Sequence, residues 1–189
     1  MRLATALLLI TTAVGQTRPA TNSALVADMD GKLLHIQENG RLARPDQRPT
    51  ILTEAETNAY FAAGRVKLPA GVQSVVLHST PGVITGLSHV DFDRLKQGRN
   101  ASNPLLSIFS GVHDVEVVAN AHGAGRVGYV EIQSVSLDGV EVPRIVLQLF
   151  IDKYLKPKYP YLGMNSQFAL PDKIDIAIVG SHQVALTQK

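Results

Sequence analysis

The side chains best suited to acid–base or metal chemistry in this sequence are its six histidines. His113, Asp114 and His122 would form a metal-binding or acid–base set if the strands that carry them paired suitably. Their spacing matches no motif, because the sequence contains no HExxH, no HxH and no cysteine. We therefore expect solvent-facing histidines, and we predict no catalytic residue, no metal and no cofactor.

Other local patterns that could carry chemistry are incomplete. No GxSxG is present, and Ser107 and Ser110 lie in an apolar run without the elbow that a nucleophilic serine needs. Asp28-Met29-Asp30-Gly31 lacks the remaining ligands of a calcium loop. Gly123-Ala124-Gly125 precedes a strand and is too short to hold a phosphate, so it indicates a turn.

The segment KYLKPKYPYLG, from Lys153 to Gly163, concentrates aromatic rings and positive charge, with three of the five tyrosines. Tyrosine suits a boundary between oil and water, and lysine attracts anionic headgroups. The segment could therefore touch a membrane or a lipid head, or it could pack its tyrosines on the edge of its own domain. The predicted contact residues are Lys153, Tyr154, Lys156, Lys158, Tyr159 and Tyr161.

The first residues have the pattern of a secretory signal peptide. Met1-Arg2 is a short positive start, Leu3 to Val14 is apolar, and small residues precede Gln16. We predict a signal peptide over residues 1–15 and an exported chain, periplasmic or extracellular and soluble once the signal is removed; a buried N-terminal helix is the alternative. The formal net charge of +2 gives no general attraction to nucleic acid.

Hydrophobic periodicity predicts two helices after the signal. Leu25, Met29, Leu33 and Ile36 recur at helical spacing, so residues 16–50 are predicted to form an N-terminal helix and a connector. A capping box at Thr53-Glu54-Ala55-Glu56 begins a second helix at the start of the remaining domain, residues 51–189.

Beyond the second helix the apolar period changes to two. Strands are predicted at Val72–Ser79, 83–93, Val112–His122, 126–137, 173–179 and 182–188. In two of them we expect Ser134 to share a face with Val130 and Ile132, and Ile174, Ile176 and Ile178 to point one way. Short turns between strands imply antiparallel pairing, so the predicted fold class is α+β.

One helix, Arg144 to Leu155, is apolar nearly all round and is predicted to be the best-buried helix. Its length would be about 18 Å, whereas a strand such as Val112–His122 would reach about 36 Å. A sheet longer than the helix it encloses leaves an apolar trough. The predicted lining is Val115, Val117, Val130, Ile132, Leu147, Phe150 and Ile151.

Several stretches resemble LmeA-like phospholipid-binding and YceB-like periplasmic proteins. The resemblance rests on three motifs: T-E-x-E-x-N, a G-V-x-[LV]-P turn and F-x-[LP]-P-x-x-I. In this sequence they comprise Thr53, Glu54, Glu56 and Asn58; Gly139, Val140 and Pro143; and Phe168, Leu170, Pro171 and Ile174. The resemblance implies a long, curved antiparallel sheet wrapped around an apolar helix, with an acyl chain held between them. Because the chain lacks cysteine, it departs from the lipid-anchored YceB-like members.

Together these observations predict a non-enzymatic protein that binds or shuttles a lipid or another amphipathic molecule in the cell envelope, with transient membrane contact. A structural or scaffolding protein is the alternative, in which the N-terminal helix or a partner fills the trough. A hydrolase that uses strand histidines is a third hypothesis. The position of the Leu25–Ile36 helix relative to the trough distinguishes the first two.

Overall fold

The computed structural model describes residues 22–96 and 104–189, so the predicted signal peptide lies outside the described residues. Within them, no helix is long and apolar enough to cross a membrane. The helices are α1 (Asn22–Arg41), α2 (Glu54–Ala62), α3 (Phe92–Leu95) and α4 (Arg144–Phe150), with a 3-10 turn at Pro104–Leu106 and a π-helical turn at Ile151–Leu155. The strands are β1 (Thr50–Thr53), β2 (Val72–Thr80), β3 (Val83–Asp91), β4 (Val112–Ala124), β5 (Val127–Leu137), β6 (Val140–Glu141), β7 (Asn165–Ala169), β8 (Ile174–Gly180) and β9 (Gln183–Gln188).

All nine strands belong to one antiparallel sheet, which confirms the predicted α+β class. The longest strand, β4, organises it. One edge of β4 pairs first with β3 and then, from His122, with β8. The other edge pairs with β5, which in turn pairs with β6 and β7. Two hairpins, β2–β3 and β8–β9, therefore lie end to end along a single strand.

Two β-bulges change which side chains of β5 and β8 face the core, so the predicted faces of these strands are wrong. In β5 the register shifts where Ala119 faces Ile132 and Val118 faces Ser134, so that Gln133 is the extra residue. Beyond it Val135 and Leu137, not Ser134, face the core. A second shift in β8 leaves Asp175 unpaired, which turns Ile176 and Ile178 to the exposed face while Ile174 stays buried. A bulge reverses the alternation of all later side chains.

The core lies between the sheet and α4 with its π-helical turn. Its buried members come from β3, β4, β5, α3, α4 and the segment around the 3-10 turn. The predicted helix Arg144–Leu155 is present, but Ile145 is 70% exposed, so the helix is not buried all round. Phe109 and Leu106, from the segment around the 3-10 turn, pack in the same cluster as α4 and are almost fully buried.

The capping box joins α2 to α1 and to the sheet. Thr53 accepts a hydrogen bond from the Glu56 N–H, and the Glu56 carboxylate accepts from the Thr53 N–H at 2.8 Å. The same carboxylate is paired with Lys32 of α1 at 2.6 Å. Asn58 donates to and accepts from the backbone of Leu77 in β2, each at 2.8 Å. Short-range capping and long-range docking thus use the same side chains.

A buried amide pair fastens α1 to the end of β9. Asn39 donates to Gln188 Oε1 and to the Asp46 carbonyl, each at 2.8 Å, and accepts from the Asp46 N–H. Gln188 donates to the carbonyls of Ile36 and Asp172. Because buried amides cost free energy unless they are hydrogen-bonded, this satisfied network fixes where α1 lies.

The network predicts a large cost for its removal. Asn39→Ala leaves the buried Gln188 side-chain oxygen and the part-buried Asp46 backbone groups without their partner. We expect the free energy of unfolding to fall by about 2–4 kcal/mol, since each unsatisfied buried group costs about 1–3 kcal/mol. Urea denaturation measures this change. Gln37→Ala, an exposed position on the same helix, is the control and should change stability by less than about 0.5 kcal/mol; equal effects would contradict the role of the pair.

Candidate functional site

One cavity of about 640 Å³ has almost entirely apolar walls. It lies between the inner faces of β4, β5 and β7 and the loop that follows the π-helical turn. Its lining residues are Val117, Ala119, Val130, Ile132, Lys158, Tyr159, Pro160, Tyr161, Leu162, Gly163, Ser166 and Phe168. The volume is in the range of pockets that bind small organic ligands.

The cavity exists because inward-facing residues become small beyond the end of α4. Under the helix the sheet presents Val115, Val135 and Leu137, which are buried in the core. Farther along β4 the inward residues are Ala119, Ala121 and then Gly123. Small side chains cannot bridge the distance to the opposite loop, so space remains between them.

A pair of glycines lies at the end of the cavity that is far from α4. Gly123 of β4 pairs with Gly128 of the neighbouring strand β5. A Cβ atom on Gly128 would come within 2.7 Å of the Phe168 ring, and one on Gly123 within 2.8 Å of Leu170. Because the glycines lack that atom, the two side chains lie directly on the sheet, and Phe168 forms part of the cavity wall. The sequence analysis placed Gly123 in a turn, whereas it lies within β4, and it gave Gly128 no role.

The predicted trough residues divide into two groups. Val117, Val130 and Ile132 line the cavity. Val115, Leu147, Phe150 and Ile151 lie in the closed core instead. The reason is the aromatic cluster around α4: the Phe150 ring lies 4.1 Å from that of Phe109 and 5.6 Å from that of Phe92, centroid to centroid. These rings fill the space that the length comparison assigned to a ligand.

The Tyr/Lys segment also divides. Lys158, Tyr159 and Tyr161 line the cavity, and the Tyr161 side chain is 82% exposed at its opening. Tyr154 lies in the core instead: it is only 3% exposed, and its ring packs 5.2 Å from that of Phe150, four residues earlier on the same helical face. Its hydroxyl has no hydrogen-bond partner among the described residues.

The two remaining lysines do not line the cavity. Lys156 is paired with Asp152 at 2.6 Å, and Lys153 lies 5.5 Å from the centroid of the Tyr154 ring. Lys153 belongs to the π-helical turn. Lys156 follows it directly and donates its N–H to the Ile151 carbonyl. Of the six predicted contact residues, Lys158, Tyr159 and Tyr161 therefore line the cavity.

Helix α1 lies elsewhere. It packs against α2, β1 and β9, and no residue of α1 belongs to the cavity wall. Within the described residues, the N-terminal helix therefore does not fill the cavity. This was the observation that distinguishes an open binding site from a self-filled one.

The described histidines do not form the acid–base set that His113, Asp114 and His122 would have required. His113 Nδ1 lies 2.6 Å from Asp138, which raises the pKa of His113, and its Nε2 faces the Ser110 carbonyl. His122 lies nine residues after His113 along β4. Its ring stacks on that of Tyr129, with 4.8 Å between the centroids. Among residues 22–96 and 104–189, no three His, Cys, Asp or Glu side chains could hold a metal ion together.

A second open cavity, of about 470 Å³, lies over the outer face of the sheet. Its wall mixes apolar side chains with polar ones, among them Ser74, His89, Asp114 and Glu116, and His89 Nδ1 lies 2.7 Å from Asp114. Because polar groups take a larger share of this wall than of the first, an apolar ligand gains less here. The apolar cavity is the better candidate.

The sequence analysis named Glu54 only as part of the T-E-x-E-x-N motif, but its side chain is the centre of a hydrogen-bond network. Its carboxylate accepts from the Ser79 N–H at 2.9 Å and lies 2.9 Å from His78 Nδ1 and 3.0 Å from His182 Nδ1. Three elements thereby meet at one side chain. Burial alone raises the pKa of Glu54, but the hydrogen bonds from Ser79, His78 and His182 together hold it below its ordinary value.

No protein-family model, curated protein or solved structure matches this chain. The resemblance drawn from the three sequence motifs stays a prediction. Their polar residues have clear structural roles: Thr53, Glu54, Glu56 and Asn58 all bind α2 to its surroundings.

The lowered pKa of Glu54 predicts acid sensitivity. Since the carboxyl binds its proton more weakly in the folded state than in the unfolded state, where its ordinary value is 4.5, protonation favours unfolding. This contribution is fully present above about pH 4.5 and is lost as the pH falls through the folded-state pKa. Glu54→Gln should therefore cost about 1–2 kcal/mol at pH 7 and less at about pH 3.

Urea denaturation at both pH values measures the difference between Glu54→Gln and wild type. Glu38→Gln, an exposed position on α1, controls for the loss of one negative charge. A Glu54→Gln cost that is the same at both pH values would rule out the proposed coupling.

Proposed function

We propose that this chain is a non-enzymatic binding protein for a lipid or another amphipathic molecule, whose apolar tail occupies the cavity between β4, β5, β7 and the loop at Tyr159–Gly163. The observation that carries the proposal is an apolar cavity of about 640 Å³, open beside Lys158, Tyr159 and Tyr161 and left unfilled by α1. Burial of apolar surface supplies the affinity, so no reacting group is needed.

The energetics favour a tail in this place. Each methylene that leaves water gains about 0.8 kcal/mol. Water inside the cavity would find few partners, because the Ser166 hydroxyl is already engaged with both the N–H and the carbonyl of Gly163. Displacement of poorly bonded water by a tail therefore adds to the affinity.

The rim suits a boundary with a polar phase. Tyr159, Tyr161 and Leu162 line the cavity and are exposed. Rings with a polar tip and a nearby lysine are typical of surfaces that touch lipid headgroups. We propose transient contact with a membrane at this rim, and export of the chain to the cell envelope, where such a protein could take up or deliver its ligand.

The structural or scaffolding alternative requires another occupant for the cavity. The position of α1 opposes filling by the N-terminal helix. Insertion of a partner's apolar side chains would leave the same cavity closed to small amphiphiles in the assembled state. A binding measurement on the isolated chain distinguishes the two.

The cavity predicts binding of the uncharged fluorophore N-phenylnaphthylamine, whose emission rises in apolar surroundings. Val130→Trp places a larger side chain inside the cavity and should weaken binding at least about tenfold, since loss of the equivalent of two methylenes costs more than 1.4 kcal/mol. Val76→Trp, on the exposed face of β2, makes the same exchange away from the cavity and should bind as wild type does.

Circular dichroism and the melting temperature confirm that both variants are folded. Undiminished binding by Val130→Trp, or absence of binding by wild type, would contradict the proposed function. Mass spectrometry of lipids that copurify with the chain identifies natural occupants.

A further inference from the structure

We infer that the free edge of β7 pairs with the same edge of a second copy of this chain, so that two chains form one continuous antiparallel sheet. The inference depends neither on the proposed function nor on the ligand of the cavity. It rests on the unbonded backbone groups along β7, on a strand sequence without charge or proline, and on the complementarity of that sequence to itself.

The hydrogen bonds around β7 show which of its residues direct their backbone groups to β5. Just before the strand, the Met164 carbonyl accepts from the Ile132 N–H, and just after it the Leu170 N–H donates to the Arg126 carbonyl, each at 2.8 Å. Bonded pairs alternate along an antiparallel ladder, and the register between these two bonds is unbroken. The even-numbered residues of β7 are therefore bonded to β5, and the odd-numbered ones direct their N–H and carbonyl groups to the other side.

The outer edge of β7 consequently presents unbonded backbone groups. Ser166 and Phe168 are bonded to β5, whereas Asn165, Gln167 and Ala169 direct their groups outward and are exposed. Within residues 22–96 and 104–189, no hydrogen bond to the N–H or carbonyl groups of these three residues is present. Such an edge is a template for pairing with another strand.

The outer edge of β2, by contrast, is closed by other parts of the chain. Asn58 of α2 binds both backbone groups of Leu77, and the Glu54 carboxylate accepts from the Ser79 N–H. The Ser79 carbonyl accepts from the His182 N–H. The T-E-x-E-x-N motif thus protects this edge from a second strand. In the described part of the chain, no side chain binds the outward groups of β7 in this way.

The sequence of β7 is also free of the devices that keep edge strands apart. The strand, NSQFA, contains no charged residue and no proline, and its pairing with β5 has no bulge. Charges, prolines and bulges are the features with which natural sheets prevent edge-to-edge association. Nothing in this strand therefore repels a second copy of itself.

Antiparallel pairing of β7 with itself is centred on Gln167. This residue then lies opposite Gln167 of the second copy, and Asn165 lies opposite Ala169. Each of the three donates one hydrogen bond to the second copy and accepts one, so their outward groups are all satisfied. The two Phe168 side chains become diagonal neighbours at about 7–8 Å, within reach of aromatic rings. Phe168 is 47% exposed in the single chain, so the pairing also covers apolar surface.

The two-fold axis of this pair is perpendicular to the sheet, so the inner faces of both chains lie on the same side. Ser166 and Phe168 belong to the wall of the apolar cavity and project to that inner face. Successive side chains of a strand alternate, so Gln167 projects to the outer face beside its counterpart. A substitution of Gln167 therefore changes the contact between the chains without entering the cavity.

Sedimentation velocity of the chain between about 5 and 500 μM tests the pairing. An interface of one strand pair and its neighbouring side chains is small, so we expect a dissociation constant of about 10–100 μM for the dimer. Amide hydrogen exchange locates the contact. Exchange of the Gln167 N–H should slow about fivefold at the highest concentration, whereas the Phe168 N–H, already bonded to β5, should change less.

Charge exchange at Gln167 tests the predicted register. Gln167→Lys places two ammonium groups opposite each other and should weaken dimerisation about fivefold, and Gln167→Glu should do the same with two carboxylates. An equimolar mixture of the two variants should associate at least about fivefold more tightly than either alone, because opposite charges then face each other. Gln73→Lys, the same exchange at an exposed position of β2, is the control and should dimerise as wild type does.

A chain that stays monomeric at the highest concentration would overturn the inference. Dimerisation that both Gln167 variants leave unchanged, or a mixture that associates no more tightly than either variant, would assign the contact to another surface and overturn it as well. Circular dichroism checks that the variants are folded. Binding of N-phenylnaphthylamine tests the proposed function separately, so a failure of one proposal is distinguishable from a failure of the other.

Discussion

The structure depends on one mismatch of length between a strand and a helix. β4 has 13 residues and spans about 40 Å, whereas α4 and its π-helical turn together cover residues 144–155, about 18 Å. The helix and the segment at Phe109 can bury only part of the inner face of the sheet. The remainder is either filled by side chains, covered by another element or left as a cavity, and in this chain all three occur at different places.

Side-chain size decides which of the three outcomes applies. Where α4 lies on the sheet, branched residues and three phenylalanine rings fill the core. At Gly123 and Gly128, the side chains of Phe168 and Leu170 pack directly on the backbone of the sheet. Between these places the small side chain of Ala119 and its neighbours Val117, Val130 and Ile132 leave space under the loop at Tyr159–Gly163. The cavity thus borders the closely packed core at one end, where Val117 and Ile132 contact it, and is not a consequence of a loose interior.

Local signals in the sequence predicted much of this fold. The capping box at Thr53, the apolar positions of α1 and the period-two strands all depend on neighbours a few residues apart, so they are readable without a structure. The bulges at Gln133 and Asp175 depend on pairing with a distant strand, and a single extra residue reversed the predicted faces of Ser134, Ile176 and Ile178.

The candidate site depends on residues that are far apart in the sequence. The length comparison predicted uncovered sheet but could not say which part is uncovered, because Phe109, which packs on Phe150, is distant from it in sequence. Leu147, Phe150 and Ile151 were therefore assigned to a ligand and belong to the core. Tyr154 and Tyr159 lie in the same segment rich in tyrosine and lysine. Only the position of Tyr154 on the helical face distinguishes its buried side chain from that of Tyr159. Glu54 joins three distant elements, which no local pattern reveals.

The most direct measurement is a methyl-resolved NMR titration of the chain with palmitate. If the central claim is correct, the methyl resonances of Val117, Val130 and Ile132 shift upon binding, while those of Val135, Leu137 and Leu147 in the closed core change little. Resonances that do not respond, or shifts centred on the core under α4, would contradict the account.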